Sequence, residues 1–427
     1  MIKKLEKFGY YGAMLVLGVL LFRFMYILTV YGDTYPHWDE WRFVPMQKPL
    51  FSYLFSYNNE NMQVFTNAIY ALVELTGLPF KAVTVIGGLV YVVTLFVFYK
   101  LLSGYVKKEK HWVLMLLMAP CLSDFMLDNL LWPATTSPVF YFLFIILAVK
   151  YGFVVNESTK TRILTLFMAV CSVLAMNVSF ALVFTVIYLM KNFYNAKSPE
   201  ERRKEIMFCS IFLEVMAVVV VLFWYGMRKI DSTEIDWSSL IHLSFYERFS
   251  YALLSPMTGF LVDYTHHVFW LVLLGFVFVI LAWQFILQAR QKERQGVWAL
   301  LLIISSGMAA ITLFRGDLVY AITDHAVRYV FYGMFFVPVM YAALSGSHMK
   351  VVHFCINLGA VIVLSLTIAY FVTHNRIDAA LRRIDTGKEC IEDYYHLKRR
   401  PLVWYCAGRY FHNIAPHLDL FEEVFLK

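Results

Sequence analysis

The chain has 427 residues, 60% of them hydrophobic and only 16% charged, with a formal net charge of +7. Soluble domains sit near about 45–50% apolar and about 25% charged. Together with a mean hydropathy of +0.62, these values exclude an ordinary soluble globular protein. The basic residues are scattered through short connections rather than gathered in one patch, which argues against a nucleic-acid partner.

The apolar residues come in blocks long enough to cross a bilayer as helices, and about eleven such spans are expected. They run over 9–31, 80–103, 111–124, 136–154, 163–176, 178–192, 206–227, 267–289, 296–313, 329–346 and 351–373. The fold class is therefore all-α integral membrane. The first block is too long for a signal peptide and lacks a small-residue cleavage site, so it reads as a retained signal anchor. Lys and Arg recur in alternate connections: Lys3, Lys4 and Lys7; Lys107, Lys108 and Lys110; Lys160 and Arg162; Lys197, Arg202, Arg203 and Lys204; Arg290, Lys292 and Arg294; and Lys350. Positive charge marks the cytoplasmic side. This assigns a cytoplasmic N-terminus and places the longer polar segments 32–79, 228–266 and 314–328 outside, with the tail 374–427. The tail is itself basic, which the charge rule tolerates because long terminal segments obey it poorly.

The first outer loop opens with Gly32-Asp33-Thr34-Tyr35-Pro36-His37-Trp38-Asp39-Glu40-Trp41-Arg42. Asp39 and Glu40 sit between two tryptophans. Partial burial under aromatic rings raises a carboxylate's pKa and improves it as a base near neutral pH. Trp38 and Trp41 offer flat apolar faces to sugar rings, with Arg42 beside them. The competing reading is an interfacial aromatic belt with solvated acids. Further on, Glu60, Gln63, Asn67, Tyr70 and Glu74 recur at helical spacing, which predicts an amphipathic helix on the membrane surface, ended by Gly77 and Pro79. A spanning helix with its polar stripe turned to the bundle is the alternative.

Asp128 and Trp132 lie in a polar stretch between apolar runs. They belong either to a plain loop or to a re-entrant turn that offers both to a site. Glu214 is a lone carboxyl inside an apolar span, where such groups are costly. It is either functional or protonated and bonded to a neighbouring helix. The loop 228–266, with Asp231, Glu234, Asp236, Trp237, Tyr246, Glu247 and Arg248, reads as an acceptor-binding surface. Arg315, His325 and Arg328 cluster in the outer loop that enters a late span, followed by Tyr329. The alternatives for these are anchoring to lipid headgroups and, for Tyr329, belt packing. His266-His267 is too sparse for a metal site, so no metal is assigned. Cys121, Cys171, Cys209 and Cys355 read as small core residues. Cys390 and Cys406, both in the tail, are either a disulfide or two free thiols.

The acid pair after the first span, followed by a surface helix in the same loop, resembles the GT-C membrane glycosyltransferases. Asn59-Glu60-Asn61-Met62 followed by Val64-Phe65-Thr66 is similar to that family's Asn-Glu-His-Arg run. Arg315-Gly316 and then Ala326-Val327-Arg328-Tyr329 are similar to its late Arg and Ser-Arg-Tyr. The chain departs from the pattern at Asn61 and Met62, where any role of the family's Arg is lost or moved, and at the missing Ser. The layout is also similar to the phage-type serotype-converting glucosyltransferases that decorate O-antigen.

The resemblance implies an enzyme whose membrane domain fills 1–373. It implies a polyprenyl-phosphate-linked sugar donor, a surface or lipid-linked glycan acceptor and a bacterial inner membrane, with the C-terminus periplasmic. It implies Asp39 or Glu40 as general base, with Asp39 favoured. Arg315, Arg328, His325 and Tyr329 would receive the donor phosphate, and Trp38, Trp41, Arg42, Glu60, Asp128 and Trp132 would hold substrate. It implies no cofactor, and a divalent-cation requirement stays open. The competing classes are an O-antigen polymerase or ligase and a non-enzymatic flippase or carrier of lipid-linked glycan. A carrier predicts charge along the spans, which is scarce here.

Overall fold

A bilayer core offers no hydrogen bonds to a bare backbone, so a chain this apolar closes its amides within helices. The structure, a computed structural model, describes residues 2–32, 46, 48–58, 61–131, 136–196, 198–227, 237–258, 262, 266–288, 291–315, 331–347, 350–373, 405–406 and 409–410. The helices are α1 (Ile2–Tyr31), α2 (Leu50–Leu54), α3 (Val64–Thr76), α4 (Lys81–Ser103), α5 (His111–Leu117), α6 (Asp124–Leu131), α7 (Thr136–Val149), α8 (Thr159–Ala175), α9 (Ser179–Asn195), α10 (Pro199–Met227), α11 (Leu243–Leu254), α12 (His267–Gln288), α13 (Gln295–Arg315), α14 (Gly333–Leu344) and α15 (Lys350–Thr373). Strands among the described residues are two short antiparallel pairs: β1 (Tyr57–Asn58) with β2 (Asn61–Met62), and β3 (Tyr405–Cys406) with β4 (Arg409–Tyr410).

Among the described residues, six helices are long and apolar enough to cross a membrane: Lys7–Tyr31, Lys81–Ser103, Thr136–Val154, Pro199–Trp224, His267–Gln288 and Lys292–Leu313. Other expected spans fall on shorter elements. Helices α8 and α9 have 17 residues each, about 25 Å of rise. The expected third span is broken: a 3₁₀ turn, Ala119–Leu122, carries Pro120 between α5 and α6. Length and apolarity alone therefore do not reach a count of eleven.

Start signals are local. Ser158 caps α8 through a reciprocal box, its Oγ accepting from the Thr161 N–H at 3.2 Å while the Ser158 N–H donates to Thr161 Oγ1 at 2.8 Å. Ser198 and Glu201 form the same box before α10. Gly77 ends α3 in the left-handed region at φ 66°, where a side chain would be strained. Lys81 Nζ donates to the Val30 carbonyl at 2.7 Å, satisfying the C-terminal end of α1.

The centre of the bundle is an aromatic stack shared by α4, α7, α9 and α14. Phe142 and Phe335 have ring centroids 4.1 Å apart, Phe180 and Tyr332 4.6 Å, and Phe98 and Phe335 5.2 Å. Gly307 on α13 lies directly under the Phe180 ring, so no side chain fits there. Small residues of this kind let membrane helices approach closely.

The connections rich in Lys and Arg meet at one end. Arg294 donates to the carbonyls of Tyr105 (3.0 Å) and Ala342 (3.1 Å), and Ser345 Oγ donates to the same Tyr105 carbonyl at 3.0 Å. Burial pushes the Tyr105 phenol up to about 12, against the pull of Arg294. Lys191 Nζ donates to the Gly152 carbonyl at 2.9 Å, and Arg162 pairs with Glu157 at 2.6 Å and with Glu205. These clamps join the segments around 105, 152, 162, 294 and 345, so the connections read as one side of the membrane share one end of the molecule.

Glu214 is not bonded to a neighbouring helix among the described residues, which sets aside one of the two alternatives that the sequence leaves open. It lies on the exposed face of α10, and among the described residues nothing bonds it. A charged side chain at mid-bilayer costs about 2.5–3.5 kcal/mol on insertion scales.

Candidate functional site

The segments that carry the sequence-singled residues open at the end opposite the charged clamps. Helix α1 leaves the bundle at Gly32, whose Cα is packed against the Thr84 side chain in the first turns of α4. One turn further along α4, Gly87 lies against Thr136, the first residue of α7. The exit of the first loop and the return from the 132–135 segment therefore share the start of α4. Asp39, Glu40, Trp38, Trp41 and Arg42 lie outside the described residues, as do Glu60 and Trp132.

The return half of the first loop is tied down at several points. The Met46 N–H donates to Glu74 Oε2 at 2.8 Å. Burial raises the Glu74 carboxyl above its ordinary range, and the bond from Met46 opposes that shift. Asn67 Nδ2 donates to the carbonyls of Tyr53 and Leu54, each at 3.2 Å. It thereby supplies a donor to the Leu54 carbonyl at the end of α2, while the Tyr53 carbonyl also accepts from the Ser56 N–H (3.1 Å) and hydroxyl (2.7 Å). Thr66 Oγ1 and Ser137 Oγ share a hydrogen bond of 2.7 Å between α3 and α7.

The helix expected over 60–76 exists as α3, and its 13 residues rise about 20 Å, too short to span. Its orientation differs from a simple surface helix. Gln63, Thr66, Asn67 and Tyr70 are buried against the protein, while Leu72 and Leu75 are exposed. The polar stripe satisfies loop carbonyls and hydroxyls inside, and the leucines face outward.

Strands β1 and β2 form a hairpin in which Tyr57 opposes Met62 and Asn58 opposes Asn61; Asn59 and Glu60 between them lie outside the described residues. The hairpin docks on the α8–α9 turn: the Met62 N–H donates to the Met176 carbonyl at 2.8 Å, and Asn177 Nδ2 to Asn61 Oδ1 at 3.4 Å. Asn177 Oδ1 also accepts from the Ser179 N–H (3.1 Å) and hydroxyl (2.7 Å), holding the start of α9. On the other side of Met176, Tyr332 donates its hydroxyl to Sδ at 3.4 Å. Met176 thus bridges the first loop and the start of the late helix. Phe331, three residues after Arg328, packs against Tyr91 of α4 at 6.2 Å.

Arg315 ends α13, with its backbone at this end of the molecule. Nothing is described of its side chain, and Arg328, His325 and Tyr329 lie outside the described residues. Asp128 sits on α6, so neither a plain loop nor a re-entrant turn describes its position. The helix forms because Met126, Leu127, Leu130 and Leu131 recur on one face and bury in the core. The Asp128 side chain itself is not described. Part of 228–266 also differs from an open acceptor surface. Helix α11 buries Phe245, Phe249 and Tyr251–Leu254, and the Ala252 carbonyl abuts Gly333 at the start of α14. Trp237, Ile241 and Tyr246 remain exposed. Asp231, Glu234 and Asp236 lie outside the described residues.

No group of three or more potential metal ligands occurs among the described residues. Cys121, Cys171 and Cys209 are buried free thiols. Cys390 lies outside the described residues, and Cys406 is described only as backbone in β3, so the disulfide reading is untouched. Sequence reasoning missed Asn177, Tyr332 and Tyr141, whose hydroxyl accepts from the Phe180 N–H at 2.5 Å at the start of α9. The signal was present for one of them: Asn177-Val178-Ser179 between two apolar runs is a side-chain cap at a helix start. No family model, no curated protein and no solved structure matches the chain.

Proposed function

We propose that the chain is a membrane glycosyltransferase of the GT-C type. It moves a sugar from a polyprenyl-phosphate donor to a surface or lipid-linked glycan on the non-cytoplasmic face of a bacterial inner membrane. One observation carries most weight beside the sequence motifs. The flanks of the first loop, of the 132–135 segment and of the 316–330 segment adjoin one another at the end away from the basic clamps. Asp39 and Glu40, Trp132 and Arg328 belong to the segments that these flanks bound, and Arg315 ends the helix that enters the last of them.

The chemistry needs what these residues supply. An acceptor hydroxyl gains nucleophilicity as its proton passes to a carboxylate, Asp39 with Glu40 beside it. Its oxygen forms a bond to the anomeric carbon as the bond from that carbon to the phosphate oxygen breaks. The lipid phosphate leaves with the electron pair, and Arg315, Arg328 and His325 offset the charge, Arg by paired donors. Tyr329, next after Arg328 in the sequence, joins them in holding the phosphate. Trp38 and Trp41 stack on sugar rings, while Arg42, Glu60, Asp128 and Trp132 bind ring hydroxyls or lipid-side groups. With the basic connections cytoplasmic, this end faces the periplasm.

The test is transfer in proteoliposomes that hold the full chain, a radiolabelled polyprenyl-phosphate hexose and a lipid-linked glycan. The expected result is label on the glycan with equimolar release of polyprenyl phosphate. Passage of the labelled lipid across the bilayer without cleavage would identify a carrier and refute the enzyme.

A further inference from the structure

We propose that the outward face of α10 is a homodimer interface, and that its occupant is a second copy of this chain paired through Glu214. This stands independently of the glycosyltransferase reading. Helix α10 is at the rim of the bundle. Its inner face, with Cys209, Phe212, Met216 and Phe223, is buried, Phe212 lying 5.5 Å from the Tyr188 ring of α9. Its other face, with Met207, Ser210, Ile211, Glu214, Ala217, Val218 and Val221, is exposed.

The depth of Glu214 makes this face unlike the other outward faces. The apolar run of α10 begins at Ile206, just past the basic cluster at Arg202–Lys204, and extends to Trp224. Glu214 is close to its middle, at the bilayer centre. Ionisable groups at that depth face a protein interior or a water-filled cavity and take a partner there. Glu214 has none among the described residues of its own chain, and a second copy can supply one.

The chemistry selects a second copy. A carboxyl group carries a donor and an acceptor together, and is therefore complementary to itself. A two-fold axis along the membrane normal brings residue i of one subunit against residue i of the other. Two Glu214 groups then meet at equal depth, each donating to its mate. A different partner would need its own polar group at the same depth. Ser210 and Ala217, one turn to either side on the same stripe, leave room for two helices to approach until the carboxyls bond.

The experiment counts photobleaching steps of singly labelled full chain in dilute liposomes. The wild type is expected in two-step spots. Glu214→Leu is expected to weaken the dimer by about tenfold or more, because it removes both hydrogen bonds. Glu214→Gln should keep it, since a carboxamide also donates and accepts. Size-exclusion homogeneity in detergent verifies that the variants are folded. Ala217→Cys should cross-link to itself above the level of the parent chain, whereas Val279→Cys on the exposed face of α12 should not. A monomeric wild type, a Glu214→Leu dimer of unchanged affinity, or Ala217→Cys cross-links only to another protein would each overturn the proposal.

Discussion

In α13, 61% of the most apolar window is buried inside the protein, and in α7 and α4 the shares are 50% and 44%; in α1, α10 and α12 the share is 22%. The rim helices are no less apolar than α13, and α10 is the most apolar of the six. In a bilayer an apolar side chain is equally at home against lipid or against another helix. Hydropathy therefore identifies a span without saying which way it faces. What distinguishes the centre is fit: Gly307 under Phe180, Gly87 against Thr136 and Gly88 against Leu28, whereas Gly12 and Gly18 of α1 and Gly275 of α12 have open space around them.

That contrast can be broken most forcefully with one pair of substitutions. Gly307→Leu forces a side chain into the Phe180 ring and should cost about 1–3 kcal/mol or more, seen as early loss of the monodisperse peak on heating in detergent. Gly275→Leu, the same change at the rim, should be neutral or stabilise slightly, because glycine in a helix costs up to about 1 kcal/mol relative to a good helix former. Equal losses at both positions would show that the packing difference is not what holds the bundle.

The two ends of the bundle invite a finer test. At the end away from the basic clamps, Asn67→Ala removes the donor to the Leu54 carbonyl and one of several to the Tyr53 carbonyl, at about 1 kcal/mol. The expected readout is faster hydrogen exchange over 50–58 with the centre unchanged. At the charged end, Arg294→Lys replaces a planar fork with a single point of donation. It should loosen the contact between the 105 and 345 segments, read as exchange there, with a smaller effect than Asn67→Ala.

The smallest expected effect is a pH dependence. Burial raises the Glu74 carboxyl in the fold, so the folded chain holds this proton more tightly than the unfolded one. Stability from this group is full at low pH and falls as pH rises from the unfolded value through the folded one, then stays level. Glu74→Gln should remove that slope and leave the rest of the pH profile intact.

Much of the fold is written locally. Every expected apolar block carries helix, and the Ser158 and Ser198 boxes stand where Ser is followed three residues later by a partner. The spacing of Gln63, Asn67, Tyr70 and Glu74 marked one helix face correctly. Its direction was not legible, because the carbonyls that Asn67 serves belong to α2 and the hydroxyl beside Thr66 to α7. Helix α6 escaped notice because eight residues interrupted by Asp128 and Asn129 look like a polar turn until α1 and α4 cover the other side. Arg294 counted only as one more positive charge, yet its bonds to Tyr105 and Ala342 span 189 and 48 positions of sequence. Of the candidate site, the frame is described together with the backbone of Asp128 on α6 and of Arg315 at the end of α13, and Asp39, Glu40 and Arg328 lie outside the described residues.

If a first-loop carboxylate removes the acceptor's proton, as proposed, sugar transfer by Asp39→Asn beside Glu40→Gln in proteoliposomes reads it directly. Asp39→Asn keeps the shape and removes the proton acceptor. The predicted result is folded, membrane-inserted protein with transfer slowed by at least about 100-fold, and a loss for Glu40→Gln as well. If only Glu40→Gln abolishes transfer, the base is the second acid of the pair and the mechanism stands. If both variants transfer sugar at the wild-type rate, the first loop is an aromatic belt and neither acid is the base.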